Sequence, residues 1–150
     1  MSTTQQVLSC IGPSGGLVWT PRESSREWRS VSMYPDGSIL LATAGASQLY
    51  TSWDYGVSWT ARDSSRNWSR GALSHGTGNM LAGVFGGAVY ESANYGSTWG
   101  LSSIGIDANW WGMAISTDGV VRMAGQFNGG LYISSNSGAS WSAPFASGFW

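Results

Sequence analysis

From residue 28 onward the chain alternates apolar and polar residues in short runs, each broken by a turn rich in glycine, asparagine or aspartate. Alternation of period two over about four to eight residues marks a half-buried strand. At the start of this pattern it predicts strands at Arg29–Met33, Ile39–Thr43, Gln48–Ser52 and Val57–Arg62. The intervening turns read "YPDGS" (34–38) and "WDYG" (53–56), and their later counterparts are "STDGV", "ANYG" and "SNSG". "FGGA" and "FNGG" supply the middle turn further along. Asp-Gly and Asn-Gly type sequences favour the positive φ that tight hairpins need. No segment carries a convincing 3.6-residue period, so no helix is predicted.

The pattern is periodic. Trp19, Trp59, Trp99 and Trp141 recur at spacings of 40, 40 and 42, and Trp28, Trp68, Trp110 and Trp150 at 40, 42 and 40. Tyr50, Tyr90 and Tyr132 fall in the same register, as do Ala42, Ala82 and Ala124. Four strands in about 40 residues is the signature of a β-propeller blade. The predicted fold is therefore all-β, a single domain over 1–150 with three full blades at about 28–67, 68–109 and 110–150. An N-terminal half blade at 7–27 precedes them, with strands at Val7–Ile11 and Leu17–Arg22. Three and a half blades do not make the usual ring of four to eight. Assembly with other copies or docking on a larger partner is the expectation.

"SWDYGVSW" resembles the Asp-box (BNR) motif of sialidase-like propellers, and the resemblance covers residues 12–150. The acidic form occurs once, at Ser52, Asp54, Gly56, Ser58 and Trp59. Asn94 with Gly96 and Trp99, and Asn136 with Gly138 and Trp141, are amide versions, and Ser14 stands at the same place in the first copy. The resemblance implies a structural element on the hairpin between third and fourth strands, its carboxylate or amide capping turn N–H groups over a packed tryptophan.

Composition then narrows the function. Charged residues are 10 % of the chain, against about 25 % in an ordinary domain, and the net charge is −1. A general electrostatic pull on nucleic acid or anionic membrane is not expected. All seven basic residues are arginine, which favours planar, stacking and bidentate contacts. One cysteine, Cys10, and one histidine, His75, allow neither an internal disulfide nor a zinc site, and no cofactor is expected. "MSTTQQVLSC" lacks a basic start and apolar run, so a Sec-type signal peptide is not expected, and no apolar stretch approaches a membrane span. The location expected is cytoplasmic by default, or on a virion or other particle.

Two chemistries compete for the same residues. "RESSREW" and "RDSSRNW" place Arg26 before Trp28 and Arg66 before Trp68, while Trp110 has Asn109 before it. These residues, with Trp111 and Trp150, are the candidate ligand-binding set. Indole faces would stack on sugars, and the guanidinium forks would hold hydroxyls or a carboxylate. The competing reading is inter-blade packing for the tryptophans. Trp53 and Trp111 break the repeat and are the better candidates for exposed aromatics. Sialidase chemistry would need an arginine cluster, an acid/base aspartate and a tyrosine–glutamate pair. Most acids here sit at repeated turn or loop positions, and Tyr90 beside Glu91 has Tyr50 and Tyr132 in register. The function expected is non-enzymatic binding of a glycan or a surface, lectin-like and multiplied by oligomerisation. The alternatives are a structural decoration, knob or fibre protein and a degenerate glycosidase.

Overall fold

A computed structural model describes residues 20–145. Every regular element in that span is a strand. They form three antiparallel meanders, which we call blades 1 to 3. Blade 1 has β1 (Trp28–Met33), β2 (Leu40–Ala44), β3 (Ser47–Ser52) and β4 (Thr60–Arg66). Blade 2 has β5 (Trp68–Leu73), β6 (Met80–Gly87), β7 (Val89–Ser92) and β8 (Gly100–Leu101). Blade 3 has β9 (Ala108–Ile115), β10 (Arg122–Gln126), β11 (Leu131–Ser134) and β12 (Ser142–Phe145). Register repeats with the sequence: Ala42 pairs with Tyr50, Ala82 with Tyr90 and Ala124 with Tyr132.

The first three strand expectations hold to within one residue, and the fourth is shifted, to Thr60–Arg66 from Val57–Arg62. β4 begins at Thr60 because the turn's own hydrogen bonds occupy residues 54–58 and Trp59 packs beneath. The half-blade strand at Val7–Ile11 lies outside the described residues. Of the one expected at Leu17–Arg22, residues 20–22 are irregular.

Strands alternate in direction, so each blade has two different ends. One end gathers the β1–β2 and β3–β4 turns and their equivalents. The other, the crossover end, gathers the β2–β3 type turns and the links between blades. There a backbone bond repeats in each blade: Gly45 N–H to Glu27 O (2.9 Å), Phe85 N–H to Asn67 O (2.8 Å) and Phe127 N–H to Asn109 O (2.7 Å).

The core lies between blades as layers. Each blade has a leading side toward the preceding blade and a trailing side toward the next. Leu41 and Leu49 on the trailing side of blade 1 pack with Trp68, Leu73, Met80 and Ala82 on the leading side of blade 2. Leu81 and Val89 repeat the arrangement against Trp110 and Ala124 of blade 3. Burying each leucine, valine or methionine among them contributes about 1.5–3 kcal/mol. The first strands lie side by side, with Gly71 N–H donating to Ser30 Oγ (3.0 Å) and Arg70 Nη1 to Arg29 O (3.0 Å).

Candidate functional site

The Asp-box-like turns are built as the motif implies. Ser52 Oγ donates to Asp54 Oδ1 (2.8 Å) and accepts from Gly56 N–H (2.9 Å). The Asp54 carboxylate accepts from Ser58 N–H (2.9 Å) and Ser58 Oγ (2.6 Å). Asn94 and Asn136 keep this geometry, accepting from the N–H groups of Thr98 and Ser140. Only the second bond changes sense: their amide NH2 groups donate to Thr98 Oγ1 and Ser140 Oγ at 2.8 Å. The hydroxyl can donate or accept, so acid and amide are interchangeable here. The bonds hold Tyr55, Tyr95 and Ser137 at φ of 61°, 58° and 59°, where residues other than glycine are uncommon. Trp59, Trp99 and Trp141 are part-buried and pack against the core layers. The Ser58 hydroxyl, then its N–H, hold the Asp54 carboxyl below its usual pKa. Ser38 and Ser116 do the same for Asp36 and Asp118 in the other turns.

The repeated Trp/Arg residues are assigned mainly to packing. Trp68 and Trp110 are 0 % exposed, which corrects the expectation that they offer faces to a sugar. Their rings meet Tyr90 and Tyr132 edge-on at 5.2 and 5.7 Å. A neighbouring blade covers them, so nothing remains for a ligand. Trp28 makes the same contact with Tyr50 at 5.2 Å but is 37 % exposed. Arg26 and Arg66 stack on the Tyr50 and Tyr90 rings at 4.6 and 4.4 Å and pair with Glu23 and Asp63 at 3.2 and 3.3 Å. Trp150 lies outside the described residues.

Trp111 is different. It is 47 % exposed at the crossover end, and so is Phe127 at 53 %. Phe85, Trp111 and Phe127 form a row with centroid separations of 6.4 and 5.7 Å. The Arg70 guanidinium lies 4.4 Å from the Trp111 ring centre and is steadied by the Arg29 and Ser69 carbonyls. Beside this row opens a cavity of about 290 Å3, floored by Gly112, Gly125 and Leu131. Trp53 is also exposed, with Arg62 at 4.7 Å over its ring. The repeat-breaking tryptophans are therefore on the surface, as expected.

The acids leave little free chemistry among the described residues. Glu91 pairs with buried Arg122 and accepts from Ser102 Oγ. Glu27 pairs with Arg29 at 2.7 Å. Asp36, Asp54 and Asp118 cap turns. Among the described residues, no three His, Cys, Asp or Glu side chains converge as metal ligands.

No protein-family model matches the chain, and no curated protein matches its sequence. Solved structures do match its shape. YCF48 from Cyanidioschyzon merolae superposes with a TM-score of 0.64 at 13 % identity, over 81 % of this chain and 38 % of that one. YCF48 bound to D1 peptide gives 0.68 at 14 %, over 83 % and 42 %. The chain carries β-propeller blades. A GH74 enzyme from Niastella koreensis matches with 0.66 at 24 %, over 89 % of this chain and 20 % of the enzyme. The chain thus spans about two fifths of the YCF48 chains and one fifth of the GH74 chain, and at these identities the likeness shows the fold alone.

Proposed function

We propose that this chain belongs with the Asp-box repeat propellers and is a non-catalytic recognition module whose blades complete a ring with further copies. The observation that carries the proposal is the exposed row Phe85–Trp111–Phe127 with Arg70 stacked on its centre. Exposed aromatics in a contiguous patch mark a binding surface. Their flat faces suit the C–H face of a sugar, while Arg70 turns its free N–H edge to hydroxyls. Trp111 has Ser69 and Arg29 in register, so the fold repeats without an aromatic there. Catalysis is left out because seven of the eight acids, all but Asp107, are engaged in turns and ion pairs. A second reading, recognition of an extended protein segment, draws support from the structural neighbour bound to D1 peptide.

A glycan array with the intact chain and with Trp111→Ala is the test. Glycan signals that vanish in the variant support the first reading. A blank array with retained binding of peptide libraries moves the ligand to the second. Turnover of fluorogenic sialosides or glucans would overturn the non-catalytic reading.

A further inference from the structure

Two half-layers of core remain uncovered among the described residues. On the leading side of blade 1, Met33 is 58 % exposed, while Leu73 in register is 3 %. Trp28 is likewise open where Trp68 and Trp110 are sealed. On the trailing side of blade 3, Met123 and Leu131 are half-buried, whereas Leu41, Leu81, Leu49 and Val89 in register have at most 1 % exposure.

The two joints already made show what such sides require of each other. Large meets small at one place. In the first joint Thr43 faces Gly71, where a Cβ would come within 3.0 Å of Thr43 Cγ2. In the second Gly83 faces Met113 and Trp110, and a Cβ there would lie 2.5 Å from Met113 Cε and 2.6 Å from Trp110 Cβ. Blade 3 has Gly125 in this register, with only Leu131 and Gly112 near it, at 3.8 and 3.9 Å. Blade 1 offers Val31 and Trp28 at the complementary positions.

Polarity matches at another place. Thr51 meets Met80 beneath Gly96, and Glu91 meets Arg122 beneath Gly138. The blade 3 residue in that register is Ile133, and the blade 1 residue is Leu40, beneath Gly56. A Cβ on Gly56 would find only Trp59 and Leu40, at 3.9 and 4.0 Å. The slot that Thr51 and Glu91 fill in the other joints is open to an apolar residue.

We infer that the leading side of blade 1 docks on the trailing side of blade 3 of a second copy. Leu40 meets Ile133, and Trp28 enters the cavity at Gly125. This joint rests on the reading of the chain as a subunit of a multi-copy ring and names the surfaces that close it. Counting only the full blades of the described residues, two copies joined twice bring six together, within the range of four to eight for closed propellers. Phe85 shows that such a joint spares the aromatic row, since it keeps 37 % exposure with blade 3 docked. Blade 1 of a second copy supplies all of these contacts together.

Sedimentation analysis of the full chain tests the joint through Ile133→Glu and Leu40→Arg, which transplant the Glu91–Arg122 pair to it. The unmodified chain is expected at twice 15.9 kDa. Each variant alone should sediment as one chain, and an equal mixture should recover the two-chain species with one of each. Gly125→Leu, which changes only the cavity wall, should also give single chains with an unchanged circular dichroism spectrum. An unmodified chain that sediments singly overturns both the ring and the joint. A multimer that survives Ile133→Glu and Gly125→Leu, or variants that fail to recombine, overturns the joint and leaves the ring standing.

Discussion

The Glu91–Arg122 pair is the sharpest place to test how the blades are held. It lies across the joint of blades 2 and 3, with the Arg122 side chain 6 % exposed and Glu91 20 %. Arg122 Nε also donates to Gly119 O at 3.1 Å, and Ser102 donates to the carboxylate. The joint of blades 1 and 2 solves the same contact with Thr51 and Met80. Removing one partner of a buried pair strands the other charge, at a cost of about 3–5 kcal/mol. Partial access of Glu91 to water puts Glu91→Thr at the lower end, about 3 kcal/mol. For a chain of this size that corresponds to about 6–12 °C in Tm.

The double variant Glu91→Thr with Arg122→Met copies the apolar joint and leaves no buried charge. Replacing a buried pair by packed apolar groups is neutral or stabilising by about 1–4 kcal/mol. The double variant should therefore be at least as stable as the native chain, although each single change destabilises it. Urea unfolding of the four proteins closes a double-mutant cycle, with an expected coupling of about 3 kcal/mol or more. Additive losses, with the double variant the weakest of the four, would refute the equivalence of the two joints.

Gly83→Ala should destabilise by about 1–3 kcal/mol, because its Cβ would collide with Trp110 and Met113, and chemical denaturation will show it. Trp68→Ala should cost about 3–5 kcal/mol, whereas exposed Trp53→Ala should cost about 1 kcal/mol or less, read as the difference between their melts. The carboxyls of Asp36, Asp54 and Asp118 have folded pKa values below 3.8, so their contribution is present above that pH and lost as pH falls through the folded values. The Tm gap between the native chain and Asp54→Ala should accordingly narrow below about pH 4, while Asp54→Asn keeps the turn at pH 7. A gap that stays constant into acid would show that the ionised carboxylate adds nothing to the cap beyond what a neutral acceptor supplies.

The repeat was legible because each blade reuses the same turn chemistry. Asp54, Asn94 and Asn136 differ in charge yet close one geometry, and the tryptophan five residues on lands in the same layer each time. Exposure was less legible. Trp28, Trp68 and Trp110 are identical in register, but a blade covers only the last two among the described residues. Periodicity sets where a side chain points, not what lies opposite. The aromatic row was half visible: Trp111 stood out for breaking the repeat, while Phe85 and Phe127 were read as turn residues. Their signal was the aromatic at matched positions where blade 1 has Gly45. The Glu91–Arg122 pair was hidden altogether, since its members lie 31 residues apart on different blades.

That hidden pair bears on how near-identical blades keep their order. Self-similar repeats can dock out of sequence, because any leading side resembles any other. Here the two described joints differ at two coupled places. Were blade 3 to dock on blade 1, Met113 would press on Thr43 instead of Gly83, and Arg122 would lie against Thr51 with no carboxylate. The first error costs about 1–3 kcal/mol of overpacking and the second about 3–5 kcal/mol for a stranded buried charge. Together they outweigh the hydrophobic gain of one correctly buried side chain, about 1.5–3 kcal/mol. The ionic pair thus acts less as glue than as an address, excluding the wrong neighbour at a contact where an apolar pair would accept either.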